Sequence, residues 1–183
     1  MIPRGEPQLN RLLRPGLEQA GQPGQRLNQC GLAIALHPDY SYVLIQAGGD
    51  KYLVAKDLKD SFLEINGLGS AVVIKEFKGS DLERVECSHP FVDRTSLIIL
   101  GEHVTLDQGA GCVHTAPGHG MEDFVVGKLY DLPIISPVDA RGHFTAEGGI
   151  FAGQFYLDAN QSVVRELEQR GHLMHYSTIA HQY

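Results

Sequence analysis

Gly109-Ala110-Gly111-Cys112-Val113-His114-Thr115-Ala116-Pro117-Gly118-His119-Gly120-Met121-Glu122-Asp123-Phe124 is the densest run of chemically reactive residue types in the chain. Its order dictates local structure. Val113 and Thr115 favour an extended strand. Pro117 and the glycines on either side of His119 must break it. Met121–Tyr130 then reads as a helix, with Phe124, Val125, Lys128 and Leu129 on one side and two acids in its first turn. Three chemical readings of this segment stay open. His114, His119 and one of Glu122 or Asp123 have the right types for zinc, but Pro117 and Gly118 separate the histidines, unlike the helical H-E-x-x-H pattern. The acids at the helix N-terminus also suit the helix dipole with no ligand at all. The third reading is a pocket for a small polar ligand, with a carboxylate beside a glycine-rich turn pairing with an ammonium group.

Outward from the segment, short strands alternate with glycine turns. Tyr42–Ile45 and Lys51–Val54 flank Gly48-Gly49-Asp50 and read as a hairpin. Asp57–Ile65 has helical apolar spacing, with Asp57 as cap and Gly67 as stop. Ala71–Phe77, Leu82–Cys87 and Ser96–Leu100 are strand candidates, rich in Val and Ile. Asp158–Arg170 carries a Val163-Val164-Leu167 stripe and ends at Gly171, and His172–Ser177 is expected to return as a last strand. The pattern predicts a mixed α/β, strand-dominated domain with a barrel-like sheet and a few peripheral helices. Residues 1–30 differ: they hold four prolines, four glycines and five glutamines, and read as a tail outside a domain spanning 31–183.

Composition narrows the function. The chain has 183 residues, enough for one domain with a real core. A formal charge of −7, from 15 basic and 22 acidic residues, argues against holding nucleic acid by phosphate neutralisation alone. No apolar run approaches the ~20 residues that span a bilayer. The N-terminus lacks the apolar stretch of a secretory signal. Cys30, Cys87 and Cys112 form neither a disulfide framework nor a metal clip, so a reducing cytoplasm is the expected compartment.

The segment Gly-x-Gly-x-Val-His-Thr-Ala-Pro-Gly-His-Gly-x-x-Asp-Phe at 109–124 resembles the editing-domain signature of isoleucyl-tRNA synthetase. Pro-Gly-His-Gly points to the isoleucyl branch, since the related valyl and leucyl enzymes carry Pro-Ala-His-Asp at this turn. Similar stretches occur in the same order along the chain: Leu32–Tyr40, Leu53–Leu58, His89-Pro90-Phe91, Gly101–Asp107, Tyr130-Asp131-Leu132-Pro133, Pro137-Val138-Asp139 and Phe151-Ala152-Gly153. The resemblance covers about 31–183, and the chain stops near where such an insertion rejoins its enzyme.

The resemblance implies an aminoacyl-tRNA deacylase: the inserted domain hydrolyses valyl-tRNA(Ile) made in error, as a second sieve. Asp123 matches the aspartate that anchors the substrate's α-ammonium group. His114 matches the histidine lining the amino-acid side of the pocket, in a positioning and discriminating role. Gly109, Gly111, Gly118 and Gly120, with Thr115, are the expected binding residues, the glycines letting backbone approach the terminal adenosine. His119 and Glu122 are expected to be structural. The implied partners are the 3′ end of tRNA(Ile) carrying valine and the remainder of the synthetase, with no membrane. No metal or cofactor is expected in this domain, since ATP and Mg belong to the synthetic site of the full-length family. The family also carries a threonine-rich strip before the Leu-Ala-Ile-Ala strand. This chain has Gly21–Gly31 there, without a threonine, and Ala110 where Gly-Thr-Gly is usual. A catalytically silent domain that binds an aminoacyl ligand or tRNA end is therefore the alternative.

Overall fold

A computed structural model describes residues 32–89, 94–107 and 109–175. The expected tail at 1–30, the substituted strip at 21–31 and the end of the chain lie outside the described residues. Among the described residues seven strands form two sheets. The first has the order β5 (Glu86–Ser88), β6 (Thr95–Leu100), β1 (Ala33–Leu36), β7 (Val113–Thr115). The second has the order β3 (Asp50–Ala55), β2 (Ser41–Ala47), β4 (Val72–Lys78). β1 runs parallel to β6, and the other pairings are antiparallel. Among the described residues the sheets stay open instead of closing into one barrel. A single core nonetheless joins them: Leu36 and Ile98 of the first sheet pack with Tyr42, Ile45, Val54 and Phe77 of the second.

The hairpin forms as the sequence dictates. Gly48 and Gly49 both have positive φ (57° and 92°), the geometry of a two-residue turn that matches strand twist. Ala47 pairs with Asp50 beside it. The helix expected over 57–65 starts as a single 3-10 turn at Lys56–Leu58 and continues as α1 (Lys59–Ile65). Asp57 does not cap it, because it lies inside that turn. Gly67 does stop it: its N–H reaches the Glu64 carbonyl at 3.1 Å and the Leu68 N–H reaches Leu63 at 3.0 Å.

Two strand expectations fail in part. Leu82–Cys87 gives only β5, because a 3-10 turn occupies Gly79–Leu82 and Arg84 sits at φ 63°, outside any strand conformation. His172–His175 is not extended into a strand. Gly171 ends α3 (Tyr156–Gln169), and both the His172 and Leu173 N–H groups turn back onto the Leu167 carbonyl. α3 packs Ala159, Val163 and Leu167 against Phe144 and Phe151 in a cluster of its own. A third cluster, Ala33, Ala35, Ile99 and Val104, lies on one face of the first sheet and receives Val126 of α2 (Met121–Leu129) and Tyr130, which follows that helix.

Candidate functional site

The segment 109–124 joins the two sheets before it reaches α2. The Ala110 carbonyl accepts the Ala55 N–H at 2.7 Å, anchoring the loop to β3. The buried Tyr42 hydroxyl donates to the Gly111 carbonyl at 2.8 Å and accepts the His37 N–H at 3.0 Å. Gly109 and Gly111 have positive φ (79° and 68°). At Gly111 a Cβ would also lie 2.6 Å from that of Ala55, so the loop's approach to β3 requires glycine there. Ala110 is buried and offers its carbonyl to the fold.

β7 sorts its side chains by alternation. Val113 and Thr115 stand opposite Ala35 and Ala33, on the face that α2 covers. Thr115 is fully buried, and its hydroxyl points back to the Val113 carbonyl at 3.5 Å. Its side chain thus belongs to the interior. His114 pairs with Ile34, on the face turned to the core between the sheets. It is half-buried, with its Nε2 atom out of reach of solvent.

The strand ends in a bend. The His119 N–H closes a turn onto the Ala116 carbonyl at 2.9 Å. Gly118 is pressed against the 133–136 segment: a Cβ there would overlap the Ile135 carbonyl oxygen. The demand for glycine at 118 is thus made by the protein's own backbone. Gly120 precedes α2 in extended conformation and accepts the Phe124 N–H at 2.8 Å. Asp123 is half-buried, and its Oδ2 accepts the Ala116 N–H at 2.9 Å. The acid therefore folds back onto the bend and lies against the backbone two residues beyond His114. Glu122 is exposed.

α2 is held by unusual means. Gly127 is its one buried residue. Met121, Val125 and Leu129, one turn apart on one stripe, are 78%, 54% and 74% exposed. The apolar side expected from the sequence thus faces largely outward. The far end is tied by Tyr130, whose hydroxyl accepts the Leu100 N–H at 3.0 Å and donates to Glu83 Oε1 at 2.7 Å. The Arg84 guanidinium stands 5.4 Å from the centre of its ring. Burial, followed by the bond to Glu83, raises the Tyr130 phenol above its ordinary pKa. Ala116, Gly127 and Tyr130 were not singled out by sequence reasoning. A glycine in the middle of an otherwise helical run was the available signal for Gly127.

Among the described residues no group of three or more His, Cys, Asp and Glu side chains is arranged to hold a metal ion. The zinc reading of His114, His119 and Glu122 or Asp123 therefore finds no cluster. No helix among them is long and apolar enough to cross a membrane.

No protein-family model matches the chain. It is 56% identical over 152 residues to an isoleucine–tRNA ligase of Desulforudis audaxviator, and 57% identical over 152 residues to that of Moorella thermoacetica. Each match covers 83% of this chain and 16% of the relative, so the chain spans about a sixth of the length of these curated relatives. A solved structure described as "The crystal structure of GlLeuRS-CP1" shares the fold, with a TM-score of 0.62 over 85% of this chain and 82% of that one. At 17% identity, that likeness speaks for the fold alone.

Proposed function

The chain belongs to the isoleucine–tRNA ligase family, where it corresponds to the inserted CP1 domain, and from that premise we propose that it hydrolyses valine from mischarged tRNA(Ile). The need is physical. A pocket built for isoleucine rejects valine by only about 1–3 kcal/mol, because the two differ by one methylene. A second pocket that excludes the larger product and cleaves the smaller supplies the missing discrimination.

The observation that carries the proposal is the placement of Asp123. With Oδ2 held by the Ala116 N–H, Oδ1 is the oxygen a ligand's ammonium would meet, in a half-buried setting where a charge-assisted bond gains strength. The free α-amine of an aminoacyl ester is such a cation. His114, on the neighbouring strand, lines the amino-acid side and positions it. Water then adds to the ester carbonyl, the ribose oxygen leaves and takes up a proton, and valine is released. The tRNA 3′ end and the rest of the synthetase are the partners, in the cytoplasm. With a charge of −7 the chain alone should bind tRNA weakly and lose that binding as salt rises.

The test is deacylation of valyl-tRNA(Ile) by the chain and by Asp123→Ala. Expected is turnover above buffer that falls about 10- to 100-fold in the variant, the worth of a hydrogen bond to a charged group. Equal rates for both would overturn the role of Asp123. A second reading is favoured by the lack of threonine at 21–31: a domain that binds the aminoacyl end without cleaving it. Saturable binding of a valyl-adenosine amide with no turnover would establish that reading in place of the first.

A further inference from the structure

Asp123 and Gly127 lie four residues apart on α2, so they occupy the same face one turn from each other. Both meet the same bend. Asp123 accepts the Ala116 N–H at 2.9 Å, and a Cβ at Gly127 would lie 2.5 Å from Cγ and 2.9 Å from Cβ of Pro117. The next residue of the bend is also closely packed, since a Cβ at Gly118 would overlap the Ile135 carbonyl oxygen. Helix propensity opposes glycine here by about 1 kcal/mol relative to alanine, so close packing must be what it serves. Restoring ordinary contact of about 3.5–4.0 Å between a Cβ at 127 and the Pro117 ring requires α2 to move out by roughly 1 Å. A hydrogen bond of 2.9 Å one turn away does not survive such a shift.

We infer that Gly127 is a positioning residue for amine recognition: its missing side chain sets the separation of α2 from the bend, and with it the placement of the Asp123 carboxylate. The inference rests on the reading of Asp123 as the ammonium acceptor.

Two ligands test it on the full 183-residue chain: a non-hydrolysable valyl-adenosine amide with a free amine, and the same compound N-acetylated. The ratio of their dissociation constants isolates the amine contact, since general damage to the domain weakens both ligands together. Expected is a preference for the free amine in the parent, its loss in Asp123→Asn, and a reduction of about tenfold in Gly127→Ala with affinity for the acetylated ligand unchanged. Gly127→Ala combined with Pro117→Gly moves the missing side chain across the contact and should regain the preference. The double variant also decides the matter if Gly127→Ala alone does not fold. Preference kept in Gly127→Ala but lost in Asp123→Asn overturns the inference and spares the reading beneath it. So does a folded double variant without preference. Preference kept in Asp123→Asn, or absent from the parent, overturns that reading instead.

Discussion

α3 carries a clear apolar stripe while the apolar residues of α2 are spread around the helix, and the two attach to the molecule by opposite means. α3 buries Ala159, Val163 and Leu167 against Phe144 and Phe151, and Gly171 closes its end. α2 fully buries no large side chain; it is fixed by the Asp123 bond at one end, the Tyr130 hydroxyl at the other and the close packing of Gly127 on the Pro117 ring between them. Area burial gives stability that tolerates small displacements. Hydrogen bonds and close crossings give little net energy but fix position to tenths of an ångström. The helix bearing Asp123, the proposed ammonium acceptor, is the one fixed in the second way.

The largest expected effect abolishes the contrast, because it attacks the core between the sheets. Burial pushes the Cys87 thiol up to about 11. Burial and then Cys87 push Cys112 up to about 12, from an ordinary 9.0. Burial, followed by the neighbouring Cys112, holds the Tyr42 phenol well above 10.0. The folded chain keeps these protons after the unfolded chain has released them. Their contribution to stability is therefore complete below about pH 9 and is lost progressively as pH rises toward 12. Denaturation midpoints recorded across that window should fall steeply, and less steeply in Cys112→Ala. A flat profile in the parent would contradict the burial of these groups.

Next in size is Leu167→Ala in α3, which should lower unfolding free energy by about 2–5 kcal/mol, since it opens a cavity in a packed cluster. Amine preference should not change, and a change there would mean that α3 bears on the site. Tyr130→Phe, just past the end of α2, should cost less, about 1–3 kcal/mol, by leaving the Leu100 N–H without its acceptor. Its mark is local: faster hydrogen exchange at the Leu100 amide and weakened preference for the free amine. Unchanged exchange at Leu100 would show that Tyr130 does not fasten α2.

What could be read from the sequence follows the same division. The hairpin at Gly48-Gly49 and the helix stops at Gly67 and Gly171 were legible because backbone conformation there is dictated locally. The stripe of α3 was legible because burial obeys helical period. The packed side of α2 was not: periodicity points to Val125 and Leu129, whereas contact is made through Gly127 and Val126. Leu82–Cys87 misled for a related reason, since apolar content resembles a strand while Arg84 takes a left-handed turn. At the site, Thr115 was assigned to the ligand, whereas its side chain belongs to the interior. The Ala116 donor was invisible, because a backbone N–H carries no signature in residue type.

Among the described residues β7 pairs only with β1, and β1 lies parallel to β6, with β2 to β5 between them along the chain. The register Ala33 to Thr115 closes a loop of more than eighty residues, and such distant closures form slowly. Refolding should accordingly proceed from hairpin to sheet to site. Competence to bind an amine should emerge only after most secondary structure has returned, so the reactive segment, though contiguous in sequence, is among the last parts of the molecule to come into being.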